Sequence, residues 1–270
     1  MNNSIWVIGD VHGCYLPLNK ILERSFQIDP NSYFWFTGDL VNRGPDSLKT
    51  LHRIIKLENR CIAVLGNHDL YLLAIAAGIE NEKSETLNSI LNAPDFQDLI
   101  NWLRFRPLAH FEHNHLMVHA GVLANWDISK TLSLASEIEN LLRSNNWKNE
   151  IKKIYKNKNI CFNNQELHSC KNIRTIVKAL THIRFCKLNG DMDFSEKNFY
   201  QGTLKNLIPW FDIPNRKTDD ITILFGHWSS LGLFIRNNII CLDTGCIWGK
   251  CLTAMRLHDR ELIQVPYKIK

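Results

Sequence analysis

Residue types that bind metal ions follow five short apolar runs in this chain. The runs lie at 5–9, 33–36, 61–65, 116–118 and 221–225. The polar residues that follow them are Asp10, His12, Asp39, Asn67, His119 and His227. Short apolar runs bounded by glycine are typical of buried strands, and open α/β sheets carry their sites at strand ends. Carboxylate, imidazole and amide side chains from five strand ends can therefore converge, which predicts a binuclear metal site.

The ligand types also indicate which metals and which reaction to expect. Asp10 and His12 are two residues apart in an extended segment, so both side chains can face the same side. A carboxylate with an imidazole suits manganese, iron, cobalt or zinc better than calcium. Two such ions about 3.5–4 Å apart lower the pKa of bound water and hold the oxygens of an in-line displacement. The pattern predicts direct hydrolysis of a phosphorus–oxygen bond. A Cys-x5-Arg loop and a Gly-x4-Gly-Lys-Ser/Thr loop are both missing from the sequence, which disfavours a covalent thiol mechanism and a P-loop ATPase.

Longer motifs around these residues give the chain a family resemblance. They are Gly-Asp-Val-His-Gly at 9–13, Gly-Asp-Leu-Val-Asn-Arg-Gly at 38–44, Gly-Asn-His at 66–68, Phe-Gly-His-Trp at 225–228 and Leu-Asp-Thr-Gly-Cys-Ile-Trp-Gly at 242–249. In this order and at this spacing they resemble the calcineurin-like metallophosphoesterases. From residue 5 to about residue 257 the chain is similar to the bacterial symmetrical diadenosine tetraphosphate hydrolases. Asp69 favours this narrower family, because protein phosphatases more often carry Glu there, and the motifs at 225–228 and 242–249 favour it too.

The resemblance implies a fold, a ligand set and a proton donor. The fold is α/β, with two packed β-sheets flanked by helices. The first metal is bound by Asp10, His12 and Asp39, and Asp39 bridges to a second metal that also binds Asn67, His119 and His227. The two ions are expected to be manganese or cobalt, with iron or zinc as alternatives. His68 is expected to protonate the leaving oxygen and to be oriented by a carboxylate. Asp39 is the family's usual partner, and Asp69 is the alternative. The competing interpretation of His68 is a supporting hydrogen bond only.

Other residues are candidates for holding the substrate. Arg43 can bind phosphate oxygens with two parallel hydrogen bonds, as lysine cannot. Arg184 resembles the family's second phosphate-binding arginine, with a surface ion pair as the alternative, and Asp243 is a candidate for orienting His227. His182 is expected to be a bystander. Flat indole rings can stack on adenine, although tryptophans are more often buried in a core. The candidates are Trp126, Trp210, Trp228 and Trp248, of which the last two lie nearest the motifs.

The remaining pattern predicts one domain, at 1–270. Strand and helix alternate at the start, with helices predicted at 16–26 and 46–57, the second capped by Asp46 or Ser47. Such units imply parallel strands. A helical cap insertion is predicted at about 122–210, after which strands return. The Asn- and Lys-rich tract at 144–172 is interpreted either as a surface loop or as part of the cap, with its lysines near phosphates.

Composition indicates which partners and which cellular compartment to expect. The net charge of +5 and pI near 8.7 suit a polyanionic partner but are also common in other proteins. Apolar runs stay well below the roughly 20 residues of a membrane span, and no signal peptide is expected, because the first strand is predicted to start almost at once. The eight cysteines form no Cys-x-x-Cys pair, so reduced thiols in a cytoplasmic protein are expected.

The resemblance implies hydrolysis of P1,P4-bis(5′-adenosyl) tetraphosphate in the middle, to two ADP. Removal of similar caps from RNA 5′ ends is a further expectation, and the sequence favours no particular oligomeric state. Two alternatives stay open. One is a Ser/Thr phosphoprotein phosphatase, because the same metal chemistry serves both reactions. The other is a metal-binding scaffold without catalysis, although each expected ligand and His68 are present.

Overall fold

The computed structural model describes residues 3–79, 85–155, 164–197 and 206–268, with only the backbone described for 164–171. The strands within these residues are β1 Ile5–Ile8, β2 Tyr33–Phe36, β3 Cys61–Ala63, β4 Ala109–Glu112, β5 His115–Val118, β6 Phe185–Lys187, β7 Met192–Asp193, β8 Leu207–Pro209, β9 Thr222–Phe225, β10 Phe234–Arg236, β11 Ile239–Cys241, β12 Cys251–Arg256 and β13 Leu262–Pro266. The helices are α1 Tyr15–Ile28, α2 Ser47–Ile55, α3 Asn67–Ala76, α4 Asn88–Leu91, α5 Phe96–Arg104, α6 Ile128–Arg143, α7 Trp147–Tyr155 and α8 Asn164–His182.

Within the described ranges the strands form two five-stranded sheets and a smaller three-stranded sheet. The first sheet has the order β13-β12-β1-β2-β3, and the second has the order β10-β11-β9-β5-β4. In the first sheet β1, β2 and β3 are parallel, and in the second β5, β9 and β11 are parallel, with antiparallel strands outside them. The predicted parallel pairing of β1, β2 and β3 is confirmed. Within each sheet the ligand-bearing strands therefore end at the same edge.

The two large sheets pack face to face. Successive side chains of a strand point to opposite faces of its sheet, and here the side chains on both faces are apolar. The layer between the sheets contains Val7, Trp35, Met117, Leu224, Ile240 and Met255, all buried. The neighbouring residues in β1 and β2, such as Ile8 and Phe36, point the other way and join the core under the helices. Helix α1 packs there against α2, β12 and β13. The predicted arrangement of two packed sheets flanked by helices is confirmed.

The two helices predicted at the start of the chain are α1 and α2. The predicted cap of α2 was wrong. Asp46 precedes the helix without a side-chain capping bond and pairs with Lys49 at 3.0 Å instead. The Ser47 hydroxyl accepts a hydrogen bond of 2.9 Å from the backbone N–H of Asn42. Ser47 therefore fixes the loop that carries Arg43 rather than the helix start.

The segment at 122–210 is not helical throughout. It contains α6, α7 and α8, and then the third sheet, in which β6 pairs with β7 and β8. Helix α6 packs against β4, and α7 packs against α3 and α8. The loop interpretation of 144–172 was wrong where residues are described, because α7 and the start of α8 lie there; residues 156–163 lie outside the described residues. In the ranges that the structure covers, every helix is too short or too polar to cross a bilayer.

Candidate metal centre

The strand ends can crowd together because glycine precedes two of the ligands. A Cβ atom on Gly226 would lie 1.8 Å from Asp10 Oδ1, and a Cβ atom on Gly66 would lie 2.1 Å from Asp39 Oδ1. Both distances are far below contact, so any other residue would push these carboxylates out of place. The small residues at the strand ends are therefore required by the site itself.

Three ligand candidates also have strained backbones. The φ angles of His12, Asp39 and His227 are 47°, 49° and 63°, in the left-handed region that such residues seldom adopt. Conformations of this kind persist where the surroundings enforce them, and they cluster at functional sites. The backbone N–H of His12 donates to the carbonyl of Asp39 at 2.7 Å, which couples the first two strand ends directly.

Asp39 lies between the two halves of the site. Its Oδ2 atom is 3.5 Å from Nε2 of His12 and 3.4 Å from Nε2 of His119. The Oδ1 atom of Asn67 is 3.1 Å from the same His119 nitrogen. Ligand atoms of Asp39, His119 and His227 all lie within 4.8 Å of one another, as do those of Asp39, His12 and His68. Asp39 alone belongs to both groups, which is the position of a bridging ligand.

Three buried carboxylates give the site negative charge that cations would compensate. Asp10, Asp39 and Asp243 are each at most 4% exposed. Burial, and next the charge of Asp243, raise the pKa of Asp10 well above its usual range, and burial raises the pKa of Asp243 to about 6. Burial alone would lower the pKa of His119, but Asp39 and Asp10 raise it to about 10. Buried carboxylates of this kind pair with positive charge or bind metal ions, so these residues fit a pair of divalent cations.

The imidazole rings of His119 and His227 have defined orientations. The Nδ1 atom of His119 lies 2.7 Å from the carbonyl of Thr37, which directs Nε2 towards Asp39 and Asn67. The Nε2 atom of His227 lies 3.0 Å from the carbonyl of His182, so Nδ1 is the atom available for a metal.

The expected orientation of His227 by Asp243 is not observed. The carbonyl of His182 makes that contact, and Asp243 bonds to Asp10 and to the backbone N–H of Gly245. The backbone N–H of His227 in turn donates to Asp10 Oδ2 at 2.9 Å. His182 therefore contributes through its backbone, although it was expected to be a bystander.

His68 lies beside the candidate ligands, and its ring makes no hydrogen bond to a carboxylate of the described residues. Nδ2 of Asn42 is 2.8 Å from Nδ1 of His68, and Nε of Arg43 donates to Nε2 at 3.0 Å. Asp39 accepts from the backbone N–H of His68 instead, at 2.8 Å. Burial is the main cause that lowers the pKa of His68 to about 4.

Asp69, the alternative partner of His68, has a structural contact instead. Its two carboxylate oxygens accept from the backbone N–H groups of Leu40 and Gly66, at 3.0 and 2.9 Å. Asp69 therefore joins the loops after β2 and β3. Asn42 is the site residue that sequence reasoning missed. Its place beside Arg43 in the 38–44 motif was the available signal, and its Oδ1 accepts from the N–H of Arg43 and the hydroxyl of Thr86.

Arg43 and Arg184 line a cavity of about 230 Å³, together with four of the candidate ligands, His12, Asp39, Asn67 and His227. The guanidinium of Arg43 lies 5.1 Å from the ring centre of Trp248, which is 57% exposed. Nη2 of Arg184 donates to the carbonyl of His227 at 3.0 Å, and its buried Nε atom has no partner among the described residues. Both guanidinium groups can therefore reach a phosphate chain above the metal ligands.

Three of the four tryptophan candidates are core residues. Trp126, Trp210 and Trp228 are 5%, 1% and 1% exposed. Trp228 packs edge-to-face on Phe185, with ring centres 4.7 Å apart, so stacking on a base is excluded for it by burial. Trp248 alone of the four offers an exposed ring face at the site.

Comparisons with known proteins agree with this geometry. The family model described as calcineurin-like phosphoesterase matches residues 4–168. A Bordetella parapertussis protein named symmetrical bis(5′-nucleosyl)-tetraphosphatase is 54% identical over 270 residues, covering 99% of this chain and 97% of its own length. A Burkholderia thailandensis protein of the same name is 46% identical over 264 residues, covering 95% of this chain and 92% of its own length. The chain therefore belongs to the calcineurin-like phosphoesterases and, within them, to the family of these tetraphosphatases.

Solved structures share the fold at low sequence identity. A structure provisionally assigned as a diadenosine tetraphosphatase is 20% identical, with a TM-score of 0.66, covering 99% of this chain and 95% of its own. A Saccharomyces cerevisiae protein serine/threonine phosphatase is 15% identical, with a TM-score of 0.53, covering 99% of this chain and 80% of its own. At such identities the likeness concerns the fold alone, so it does not separate the two activities.

Proposed function

We propose that the protein hydrolyses P1,P4-bis(5′-adenosyl) tetraphosphate symmetrically, to two ADP, by attack of a metal-activated water. The observation that carries the proposal is the position of Asp39 Oδ2 between two imidazoles, in a cavity that Arg43 and Arg184 also line. The names of the Bordetella and Burkholderia relatives support the choice of substrate. The names of these two relatives give no such support to the phosphoprotein phosphatase alternative.

The proposed ligands of the first cation are Asp10, His12 and Asp39. Those of the second are Asp39, Asn67, His119 and His227. When bound, such a pair acidifies water and neutralises charge on the reacting phosphates. Mixed carboxylate, imidazole and amide donors suit manganese or cobalt, with iron or zinc as alternatives.

The chain's own residues would hold the phosphates and move the proton. Arg43 can leave His68 and bind two oxygens of one phosphate, and Arg184 has a buried N–H that can bind another. A phosphate next to His68 would raise the pKa of the imidazole, whereas Arg43 lowers it. Protonated His68 could then donate its proton to the leaving oxygen, a role worth about 10²–10⁴-fold in rate.

The insertion at 122–210 is proposed to act as a cap within a single domain, 1–270. Among the described residues it contributes Arg184 and Lys197, which line the cavity at the candidate ligands, and the carbonyl of His182 at the end of α8. An RNA 5′ end with a nucleoside tetraphosphate cap contains the same phosphate chain. We include it as a second substrate to be tested.

Product analysis tests the proposal. Chromatography of an early time point with diadenosine tetraphosphate should give ADP as the only nucleotide product. Activity should disappear with a chelator and return with manganese or cobalt, and elemental analysis should find two ions per chain. AMP together with ATP would contradict the symmetrical cut. Hydrolysis of phosphopeptides without cleavage of the dinucleotide would indicate the protein phosphatase, and no turnover of either would indicate a scaffold.

A further inference from the structure

We propose that a second cavity, next to the metal centre, binds one nucleoside end of the dinucleotide. It has a volume of about 250 Å³ and is lined by Lys178, His182, Arg184, Asp193, Phe194, Glu196 and Lys197. This cavity, called here the outer pocket, extends the proposed function, since it assigns a place to a part of the substrate beyond the phosphates.

The outer pocket continues the cavity of the metal centre. Arg184 and Lys197 line both cavities. Arg184 donates to the carbonyl of His227, and the ring of His227 contacts the carbonyl of His182. The outer pocket therefore lies beside His227, a proposed ligand of the second cation. A phosphate chain bound at the metal ligands can therefore pass along Arg184 into the outer pocket.

The residue types in the outer pocket match the parts of a nucleotide. Phe194 is 39% exposed, and Lys178 Nζ lies 5.0 Å from the centre of its ring. An exposed ring can stack a base, and base–aromatic stacking tolerates any base. The cations of Lys178, Lys197 and Arg184 suit phosphate oxygens. Asp193, whose Oδ1 accepts from Ser195, adds a carboxylate, the group that binds ribose hydroxyls in dinucleotide-binding folds.

Size also favours a divided substrate. Pockets that enclose a drug-sized ligand usually measure about 300–1,000 Å³. The cavity at the metal ligands measures about 230 Å³ and the outer pocket about 250 Å³. Neither is large enough for a whole dinucleoside tetraphosphate. The phosphates would occupy the first cavity, and one nucleoside would occupy the second.

The other side of the metal centre carries a comparable pair. There Arg43 lies over the exposed ring of Trp248 and contacts His68, whose ring centre is 4.9 Å from that of His12. Trp248 therefore lies on the side of His12, a proposed ligand of the first cation. Phe194 lies with Arg184 on the side of His227, a proposed ligand of the second. A substrate with two identical ends would meet an aromatic ring beside a cation at each end. This arrangement places the middle of the phosphate chain over Asp39.

The test is Phe194→Ala, with Leu188→Ala as the matched control. Leu188 is 68% exposed in the turn between β6 and β7 and does not line the outer pocket. Phe194→Ala should raise KM for diadenosine tetraphosphate at least about fivefold, the low end of what base stacking contributes. Its kcat, and both constants for p-nitrophenyl phosphate, should stay unchanged because that substrate needs only the metal centre. Lys178→Gln should also raise KM for the dinucleotide, and Lys187→Gln should not.

Two results would overturn the outer pocket while leaving the proposed function intact. One is an unchanged KM for the dinucleotide in Phe194→Ala, and the other is an equal loss on both substrates. If the wild-type protein does not cleave the dinucleotide, the proposed function fails separately. Calorimetry with ADP then decides the pocket: weaker binding in Phe194→Ala than in Leu188→Ala supports it, and equal binding overturns it.

Discussion

The two ends of the β-sandwich carry similar residue types in different surroundings. At one end, where the parallel strands finish, Asp10, His12 and Asp39 are each at most 7% exposed. At the other end, where the same strands begin, His113 and Glu112 pair at 3.4 Å, with their side chains 53% and 49% exposed. Both ends contain imidazoles and carboxylates within reach of each other, but only the first end removes them from water.

Burial of the charged residues, rather than the size of the cavity, therefore identifies the candidate functional site. The cavity at the starting end measures about 780 Å³ and is lined by Tyr33, Trp35 and several histidines, whereas the cavity at the metal centre measures about 230 Å³. Charges in water are already solvated and gain little from each other. Charges held away from water must be compensated, and perturbed groups of this kind mark functional sites. Paired substitutions at the two ends test this distinction.

The largest effect is expected from Asp39→Asn. Because one carboxylate serves both proposed metal ions, the variant should lose activity and bound metal together. The loss should exceed the roughly 10–100-fold that removal of an outer partner of a metal ligand costs. Elemental analysis beside a dinucleotide turnover assay measures both quantities. Glu112→Gln, at the opposite end, should leave both unchanged. Full metal content with near-normal turnover in Asp39→Asn would refute the bridging role.

A smaller effect is expected from His68→Ala, which should keep its metal ions and lose about 10²–10⁴-fold in kcat. The loss should shrink for p-nitrophenyl phosphate, since its leaving group needs no proton. His113→Ala is the matched control at the exposed end and should behave like the wild type. A loss of equal size on good and poor leaving groups would rule out proton donation by His68.

Arg43→Lys should have a smaller effect still. Lysine keeps the charge but cannot form two parallel hydrogen bonds with a phosphate. Loss of one charge-assisted hydrogen bond, about 1.5–3 kcal/mol, corresponds to at least roughly a tenfold fall in kcat/KM. Arg60→Lys, an exposed arginine just before β3, is the control. Steady-state kinetics with the dinucleotide decide the matter, and unchanged constants in Arg43→Lys would make Arg43 a surface residue.

The ligand-bearing strands were predictable because their signals are local. Short apolar runs lie just before Asp10, Asp39 and His119, so the signal spans only a few residues. The structure has strands at these runs. The helix predicted at 16–26 is likewise present as α1, because its apolar spacing is local. Such elements depend on the order of apolar and polar residues within a short window, and this order can be read from the sequence.

Contacts between distant segments were harder to predict. The carbonyl of His182, not Asp243, lies against the ring of His227, a pairing across 45 residues. Asn42 contacts His68 across 26 residues, and the small third sheet pairs β6 with β8. These contacts depend on packing and backbone geometry rather than on residue type. The polar tract at 144–172 misled for a similar reason, since α7 is stabilised by packing against α3 and α8.

The smallest effect is expected from Asp259→Asn, at the exposed end. The hydrogen bond from Arg256 holds the pKa of Asp259 below its usual range, although the carboxylate is 40% exposed. A lowered pKa contributes stability above the unfolded value, near 3.9, and that contribution is lost as pH falls through the folded value. At pH 7 an exposed pair contributes only about 0–1 kcal/mol.

Asp69→Ala should cost more, about 1–3 kcal/mol, because it leaves two buried backbone N–H groups unpaired. Urea unfolding at pH 7, in low salt and in high salt, measures both variants. The Asp259 effect should shrink in high salt and the Asp69 effect should persist; equal costs for the two variants would contradict the distinction between the two ends.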